Sequence, residues 1–482
     1  MGGDASRRVL IACAFVAAGA GLRFFHLENQ PLWNDEMFSL EVATAPVSAI
    51  QSSLAAQYHH PPLFFYLLHF ALSAFGPSAW ALRLISAAAG SLTVGLVFWW
   101  CSGMFGMAAG LVSGALCLVA PFHLAYSQEG RPYALAACLA LTSCCSFPKL
   151  LTARNTGSGL IYAVSSLALL YTHHWGIFVL ASHVVYAGLQ RGSLYAASKG
   201  LLLSWIAIVI LYLPEVPTLM HQSGGGSPSE WFWVESPGWR EPLWLAGAYS
   251  GTYFRMASSV FDGGPVERTA GVASAIAFVA AAAVSWFRNP ESTNLRVMLA
   301  CLGGTLLIPY LISYVKPEVF LWYRYTVIAF PLFCVAIGAL STSRIFRGRV
   351  LLLPALLLAA GAMGSYRYYS WSKSNVRDVA VYADSLARSG AGILIRPRSF
   401  APLLNYYYHG AARQVDEAYL DNPLGELVDT AAAFVYVSLD VPNGIRTYMD
   451  GHFSKGAERR FPGEAHMGMI VTLYRQPPGA GQ

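Results

Sequence analysis

Charged side chains are scarce in this sequence. Only 12% of its 482 residues are Asp, Glu, Lys or Arg, whereas a soluble domain carries about 25%. Hydrophobic residues reach 55%, and several runs approach the ~20 apolar residues that cross a bilayer as a helix. This composition excludes a water-soluble globular domain for most of the chain. It predicts an α-helical polytopic membrane protein.

Several patterns with a defined chemistry are also absent. The sequence has no glycine-rich phosphate loop, no internal repeat, and no CxxC or Cys/His spacing typical of a zinc site. Its eight cysteines lie in or at the ends of apolar stretches, so a disulfide framework is not predicted. The net charge of +6 is modest and fits basic residues in cytoplasmic loops better than a surface for nucleic acid. No nucleic-acid partner is therefore predicted.

The apolar runs predict about eleven spans, placed at 9–27, 80–101, 108–125, 132–147, 159–175, 176–190, 200–214, 270–287, 296–314, 325–341 and 350–365. Arg7 and Arg8 precede the first run, which we interpret as an uncleaved signal anchor with a cytoplasmic N-terminus. The predicted cytoplasmic ends then collect basic residues, as the positive-inside rule requires: Lys149, Arg154, Arg191, Lys199, Arg288, Arg296, Arg344, Arg347 and Arg349. The short segment 61–76 is predicted to lie at the outer interface, because a span there would reverse every later loop.

The sequence divides into two parts. Residues 1–365 form the predicted membrane domain, with outer loops at 28–79, 126–133 and 215–269. Residues 366–482 predict a small extracytoplasmic α/β domain. Its elements are strands in "GILIRP", "AAFVYVSLD" and "MGMIVTLYRQ", and an amphipathic helix in "NVRDVAVYADSLARSG". The sequence gives no reason to place chemistry in this second domain.

Five segments place ionisable or aromatic groups at the same predicted outer face: "LWNDEMFSL" (32–40), "QYHHPPLF" (57–64), "YSQEGRPY" (126–133), "YTHHWG" (171–176) and "WYRYT" (322–326). The polar residues of each segment also have a simple non-functional interpretation. Asp35 and Glu36 fit a solvated loop, Arg131 and Arg324 could extend to lipid phosphates, and the histidines could cap helices at the interface. Together, carboxylates and arginines near bilayer depth are costly and mark function. Such a set suits transfer chemistry on a lipid-linked phosphate.

In order and spacing, these segments resemble the GT-C glycosyltransferases, in particular the protein O-mannosyltransferases and lipid A aminoarabinose transferases. The similarity covers residues 1–190 well, includes "WALRLISAAAGSLTVGLVF" (80–98), and continues more weakly through "WYRYTVIAFPLFCVAIGAL". It implies an inverting enzyme that moves a sugar from a polyprenyl phosphate to an acceptor hydroxyl on the outer face. The acceptor is a protein, a lipid or a polysaccharide. The implied location is the bacterial cytoplasmic membrane, with the second domain outside.

The resemblance also implies site residues. Asp35 matches the presumed general base, with Glu36 beside it. Residues implied at the donor and its phosphate are His60, Glu129, Arg131, Tyr133, Arg324 and Tyr325. Gly130 departs from the family pattern, because a side chain is expected at that position, and Pro132 replaces a more usual Met-like residue.

Some relatives bind a divalent metal, for which His221 or the His59/His60 pair is available. We expect no required metal or other cofactor here. The main alternative function is a multispan transporter or lipid flippase, and a second is a membrane scaffold whose exported domain binds a partner. A transporter usually shows internal repeats and ionisable groups near the bilayer midplane, whereas this chain concentrates its charges at the outer ends of the predicted spans.

Overall fold

The computed structural model describes residues 2–57, 60–152, 156–189, 194–224, 237–256, 259–262, 264–288, 292–316, 319–343, 352–387, 391–396, 400–408, 413–414, 433–440, 444–461 and 468–475. The chain forms two compact units. The membrane unit comprises Met1–Leu27, Ser39–Phe254 and Phe261–Ser370. The second unit, which we call the outer unit after its predicted location, comprises Glu28–Phe38, Arg255–Val260 and Trp371–Gln482. The predicted boundary at 365/366 falls inside a helix, and the outer unit additionally takes in residues 28–38 and 255–260.

The helices up to residue 370 are α1 (Gly2–Phe24), α2 (Asn34–Thr44), α3 (Val47–Gln57), α4 (Leu63–Phe75), α5 (Ala79–Phe105), α6 (Met107–Val119), α7 (Pro121–Ser127), α8 (Tyr133–Thr152), α9 (Thr156–Leu170), α10 (Gly176–Leu189), α11 (Leu194–Tyr212), α12 (Val216–Gly224), α13 (Glu241–Ser250), α14 (Pro265–Arg288), α15 (Thr293–Ile312), α16 (Phe330–Ser341) and α17 (Leu352–Tyr368). Single 3₁₀ turns cover Leu213–Glu215 and Tyr325–Ala329. Strands β1 (Tyr253–Met256) and β2 (Ser259–Asp262) form a two-stranded sheet.

Each of the eleven predicted apolar runs overlaps one of these helices. Within the described residues, six helices are long and apolar enough to cross a membrane: Asp4–Phe24, Ala79–Phe105, Tyr133–Leu151, Lys199–His221, Pro265–Arg288 and Thr293–Ile312. A seventh span results if Met107–Val119 and Pro121–Ser127, bent by 61°, count as one. The remaining predicted spans correspond to shorter helices, so the number eleven is not confirmed.

Apolar side chains cover the outside of several of these helices. Leu203 and Val209 on α11, and Val279 and Phe287 on α14, are each more than half exposed. In water such a surface would be unstable, and a lipid bilayer is the environment that covers it. The fold confirms an integral membrane protein. Several basic positions of the predicted cytoplasmic loops lie outside the described residues: Arg154, Arg191, Arg344, Arg347 and Arg349.

Small residues let the central helices approach closely. A Cβ atom at Gly95 of α5 would lie 2.9 Å from the Ala12 carbonyl oxygen of α1. A Cβ atom at Gly338 of α16 would lie 2.4 Å from the Ala109 carbonyl oxygen of α6. Membrane helices pack through such small residues because lipid supplies no hydrophobic driving force between them. This packing fixes the ends of the helices on which the polar segments stand.

The segment 61–76 forms helix α4 in the membrane unit. Pro62 lies at its N-cap, and Gly76, with φ of 80°, ends it. Glycine adopts such a positive φ readily because it has no Cβ atom to clash. The helix itself is as predicted, and its position at the membrane interface stays a prediction.

The outer unit has the predicted α/β composition. Helices α18 (Val376–Ala387), α19 (Ala401–Tyr407) and α20 (Gly444–His452) accompany strands β3 (Gly392–Arg396), β4 (Arg413–Gln414), β5 (Ala433–Leu439), β6 (Ser454–Phe461) and β7 (Met469–Arg475). The sheet order is β4-β3-β5-β7-β6, with β3 parallel to β4 and β5 and the other pairs antiparallel. The core beneath it contains Leu394, Phe434, Tyr436, Ile445, Met449 and Tyr474. The three predicted strands and the predicted helix are all present.

Candidate functional site

The loop between α7 and α8 carries the "QEGRPY" segment and is anchored on both sides. The Gln128 side-chain amide donates to the carbonyl oxygens of Arg23, at 3.0 Å, and Phe25, at 2.8 Å. The hydroxyl of Ser86 on α5 donates to the Arg131 carbonyl oxygen at 2.9 Å. These bonds join the loop to the end of α1 and to α5. The backbone that presents the Arg131 side chain is thereby fixed.

Gly130 has a packing reason to lack a side chain. A Cβ atom at this position would lie 2.6 Å from Leu82 Cγ and 3.1 Å from the Leu82 carbonyl oxygen on α5. The departure from the family pattern is therefore explained by the close approach of the loop to α5. Glu129, the preceding residue, is fully buried, and its carbonyl oxygen accepts from the Arg131 amide at 2.7 Å.

Arg131 joins the first and second segments to this loop. Its guanidinium is 5% exposed and donates to Ser39 Oγ at 3.2 Å and to His60 Nε2 at 2.5 Å. Because a guanidinium only donates, His60 accepts through Nε2 and keeps its own proton on Nδ1. The guanidinium also lies 6.0 Å from the Tyr133 ring centroid. A hydroxyl and an imidazole are thus among the groups that hold this buried positive charge.

Aromatic rings surround this contact. The Tyr133 ring centroid lies 6.5 Å from that of His60, 5.5 Å from that of His173 and 6.2 Å from that of Tyr325. His60 and His173 are 5.5 Å apart, and His173 and Tyr325 are 5.1 Å apart. The Leu63 amide also donates to the Tyr171 carbonyl oxygen at 2.8 Å, which links "HHPPLF" to "YTHHWG". All five predicted segments therefore contribute to one polar and aromatic site, which we call the Arg131 site: Ser39, His60, Arg131, Tyr133, His173 and Tyr325.

His173 belongs to the Arg131 site, although the sequence did not predict it as a site residue. Its Nδ1 accepts from the Trp175 amide at 3.1 Å, so the neutral ring carries its proton on Nε2. This Nε2 is buried and has no hydrogen-bond acceptor among the described residues. Burial, with the charges of His174 and Arg131, lowers the pKa of His173 well below 6.5. The motif was visible in sequence, but a helix-capping histidine has the same local pattern.

The late segment reaches the Arg131 site through Tyr325, the first residue of the 3₁₀ turn before α16. The Tyr126 hydroxyl donates to the Tyr323 carbonyl oxygen, and the Tyr249 hydroxyl donates to the Thr326 carbonyl oxygen at 2.7 Å. Arg324 is half-buried, with its guanidinium 5.8 Å from the Tyr323 ring centroid. The pair Arg324–Tyr325 is thus held by tyrosines on α7 and α13.

A long groove borders this segment. It has a volume of ≈ 470 Å³ and is lined by residues of α13 to α17, including Tyr249, Phe278, Leu302 and Phe333. None of its lining residues is charged. Tyr249 therefore faces the groove while its hydroxyl binds the segment that carries Tyr325.

The two acidic residues of "LWNDEMFSL" lie in the first turn of α2, in the part assigned to the outer unit. The Glu36 carboxylate is fully buried and accepts from Lys373 Nζ, which is 1% exposed, at 2.7 Å. The Gln30 side chain donates to the Trp371 carbonyl oxygen at 2.7 Å and accepts from the Lys373 amide at 3.1 Å. These contacts give Glu36 a packing role within the outer unit.

Asp35, the neighbouring carboxylate, is half-buried and stands at the helix N-terminus. The two residues of the predicted catalytic pair therefore lie in different environments: Glu36 is in a buried ion pair, and Asp35 is half-buried. Their catalytic roles stay predictions.

The histidines considered for a divalent metal differ in their surroundings. His60 does not fit a metal ligand through Nε2, because a cation there would displace the Arg131 guanidinium and meet its charge. His221 is exposed on α12, and His59 lies outside the described residues. A different group of ligand side chains converges within the helices, at Cys144, His183 and Cys301.

The fold, a helical membrane unit and a small sheet domain, is the GT-C fold that the resemblance in sequence implied. A family model, the dolichyl-phosphate-mannose-protein mannosyltransferases, matches residues 59–217. That region contains four members of the Arg131 site: His60, Arg131, Tyr133 and His173. The predicted resemblance is confirmed.

Two solved structures illustrate the similarity. ArnT from Cupriavidus metallidurans bound to undecaprenyl phosphate superposes with a TM-score of 0.59 at 12% identity, over 95% of this chain and 97% of that one. An Archaeoglobus fulgidus oligosaccharyltransferase, in complex with Zn and sulfate, superposes with a TM-score of 0.51 at 13% identity, over 88% of this chain and 68% of that one. No curated protein matches the chain by sequence. At these identities the structures show the shared fold.

Proposed function

We propose that this protein is an inverting glycosyltransferase that moves a sugar from a polyprenyl-phosphate donor to an acceptor hydroxyl on the outer face of a bacterial cytoplasmic membrane. The observation that carries the proposal is the Arg131 site, where a buried guanidinium lies among Ser39, His60 and Tyr133. The orientation places the N-terminus in the cytoplasm and the outer unit outside. The acceptor is a protein, a lipid or a polysaccharide.

Arg131 is the proposed ligand of the donor phosphate. Guanidinium groups bind phosphate bidentately, with a planar fork of donors matched to its oxygens. The hydroxyl of Ser39 and the imidazole of His60 accept hydrogen bonds from this guanidinium, and a phosphate oxygen that replaces either of them gains a charge-assisted bond. The Nε2–H of His173 adds a neutral donor at the same site. Arg324 is proposed to assist from the neighbouring segment.

The apolar groove between α13 and α17 suits the polyprenyl tail. It has no charged lining residue, and Tyr249 connects it to the segment carrying Tyr325. ArnT, whose fold is similar, was crystallised with undecaprenyl phosphate. An isoprenoid chain in this groove would place its phosphate end toward the polar segments. Membrane lipids would occupy the groove in the absence of the donor.

The proposed chemistry needs one base and one positive group. Asp35 takes the proton of the acceptor hydroxyl, and the oxygen attacks the anomeric carbon on the face opposite the phosphate. The bond from that carbon to the phosphate oxygen breaks, and polyprenyl phosphate leaves with the electron pair. Arg131 stabilises the charge that develops on the leaving phosphate. A phosphate leaving group needs no general acid, in contrast to glycoside hydrolysis with its two carboxylates.

The test uses the purified full chain in nanodiscs with a panel of radiolabelled polyprenyl-phosphate sugars. Release of free polyprenyl phosphate is followed for wild type, Asp35→Asn and Arg131→Ala. Arg240→Ala, which removes an exposed arginine next to Trp239, is the matched control. We expect release by wild type and the control from one donor of the panel. Movement of the donor across the bilayer with no release from any donor would instead establish transport.

A further inference from the structure

Three ligand-type side chains from different helices converge inside the membrane unit. Cys144 lies on α8, His183 on α10 and Cys301 on α15, and all three are fully buried. Their ligand atoms lie within 4.8 Å of one another, and His183 Nε2 is 3.3 Å from Cys144 Sγ. Cysteine thiolates and an imidazole are ligands that select zinc and other thiophilic ions. We call this group the Cys₂His site.

The imidazole is oriented by residues behind it. Tyr162 Oη lies 3.1 Å from His183 Nδ1, and the Trp205 indole N–H donates to the same oxygen at 2.9 Å. The Phe147 ring stacks on the imidazole with centroids 4.4 Å apart and an angle of 17°. A ligating histidine usually holds its second ring nitrogen in such a hydrogen bond, which fixes the tautomer that leaves Nε2 for the metal.

The helices that carry two of the ligands are in close contact. A Cβ atom at Gly304 of α15 would lie 2.5 Å from Ser182 Cβ of α10. Gly304 follows Cys301 by one helical turn, and Ser182 directly precedes His183. The glycine therefore lets α15 approach α10 closely enough for Cys301 and His183 to meet.

We propose that the Cys₂His site binds a zinc ion that joins α8, α10 and α15. Two thiolates and a neutral imidazole around Zn²⁺ give a complex with no net charge, which suits a site surrounded by apolar helices, where an uncompensated charge is costly. Binding releases the two thiol protons to solvent. Zinc with three protein ligands takes water in the fourth position. The proposal is independent of the transferase reaction.

The first measurement is metal analysis of the full chain purified from cells grown with zinc. We expect stoichiometric zinc in wild type. The chelated protein, titrated with Co²⁺ as a spectroscopic probe, should develop a near-ultraviolet thiolate-to-cobalt band and tetrahedral visible bands. Addition of zinc should displace cobalt and abolish both the thiolate-to-cobalt band and the visible bands. Absence of bound metal together with absence of a cobalt spectrum in the wild type would overturn the proposal, whatever the variants do.

The variants identify the ligands. Cys144→Ser and Cys301→Ser should lose the thiolate band and most bound zinc. Cys138→Ser removes another buried cysteine of α8 that lies outside the site, and it should retain both. Chelation should lower the melting temperature of wild type and Cys138→Ser by several degrees and leave the two site variants unchanged. Equal zinc in all four proteins, or a Cys144–Cys301 disulfide in non-reducing mass spectrometry, would contradict the proposal.

Discussion

Two buried arrangements of charge in this protein serve different ends. In the outer unit, Glu36 and Lys373 form an ion pair at 2.7 Å with both side chains almost completely removed from solvent. In the membrane unit, Arg131 donates to the hydroxyl of Ser39 and the imidazole of His60. The first arrangement matches one charge with one opposite charge and holds a segment in place. In the second, a buried cation donates to a hydroxyl and an imidazole, which we propose the donor phosphate displaces.

The comparison shows why neighbouring polar residues need separate interpretations. Asp35 and Glu36 are adjacent and share the first turn of α2, yet Glu36 is fully buried in an ion pair with Lys373 whereas Asp35 is half-buried. Sequence position therefore does not decide function for either residue. Their burial and contacts separate the residue expected to act on substrate from the one expected to act on stability.

The largest effect is expected for Asp35→Asn. This change keeps the size of the side chain and removes the base, so transfer should fall by about 10²–10⁴ while the melting temperature stays near that of wild type. Release of polyprenyl phosphate under single-turnover conditions measures it. Turnover at the wild-type rate would remove Asp35 from the mechanism.

Arg131→Ala should reduce transfer by about 10²–10³, the usual cost of removing one group that stabilises a developing negative charge. The loss should appear in kcat/KM with the correct donor, and Arg240→Ala should not share it. An Arg131→Lys variant keeps the charge without the planar fork and should recover only part of the activity. Full activity in Arg131→Ala would place the phosphate elsewhere.

Glu36→Gln should lower the stability of the protein rather than its activity, in contrast to Asp35→Asn and Arg131→Ala. Removing one partner of a buried ion pair leaves the other uncompensated and costs about 3–5 kcal/mol, so the melting temperature should fall clearly. The fraction that remains folded should transfer sugar at nearly the wild-type rate. The double change Glu36→Leu with Lys373→Leu should recover much of the stability, since apolar replacements of buried pairs are often neutral. Catalytic loss without loss of stability would make Glu36 a catalytic residue after all.

Gly130→Ala should cost about 1–3 kcal/mol, as expected for overpacking, because the new Cβ meets Leu82. The shifted loop should also raise KM for the donor, since Arg131 is the next residue. Gly188→Ala on α10, where nothing lies within 4 Å of the added Cβ, is the matched control and should be neutral. Thermal unfolding and donor titrations compare the two, and equal effects would show that the approach to α5 is unimportant.

The smallest effect concerns pH and His173. Burial lowers its pKa in the folded protein well below 6.5, whereas the unfolded chain has a value near ~6.5. Below that pH the unfolded state binds a proton that the folded state does not, so stability should fall with a slope of at most ~1.4 kcal/mol per pH unit from this group. Melting curves at several pH values should show a weaker dependence in His173→Phe. An equally steep dependence in His173→Phe and in wild type would contradict this assignment.

Much of the fold followed from local composition. Apolar runs without charge predicted the helices, and period-two and helical patterns predicted β3, β5, β7 and α18, because these signals depend on near neighbours. The number of spans could not be predicted from composition alone. Helices such as Gly157–Leu170 and Gly176–Leu189 are apolar but short, and the pair Met107–Val119 and Pro121–Ser127 is bent.

The site was predictable only in part. The resemblance supplied His60, Arg131, Tyr133 and Tyr325, and the structure brings these four together. The partner of Glu36 is Lys373, 337 residues away, and no local pattern connects them. The Cys₂His site was missed for the same reason, because its ligands stand on three helices and no spacing along the chain reveals them.

The most direct test of the account is the affinity of the protein for polyprenyl phosphate, the proposed product, in nanodiscs. Wild type and Glu36→Gln are compared with Arg131→Ala at a temperature where all three are folded. We predict similar Kd values for the first two and a Kd raised by about 10²-fold in Arg131→Ala, the equivalent of roughly 2.7 kcal/mol. An unchanged Kd in Arg131→Ala would contradict the claim that the Arg131 site holds the donor phosphate.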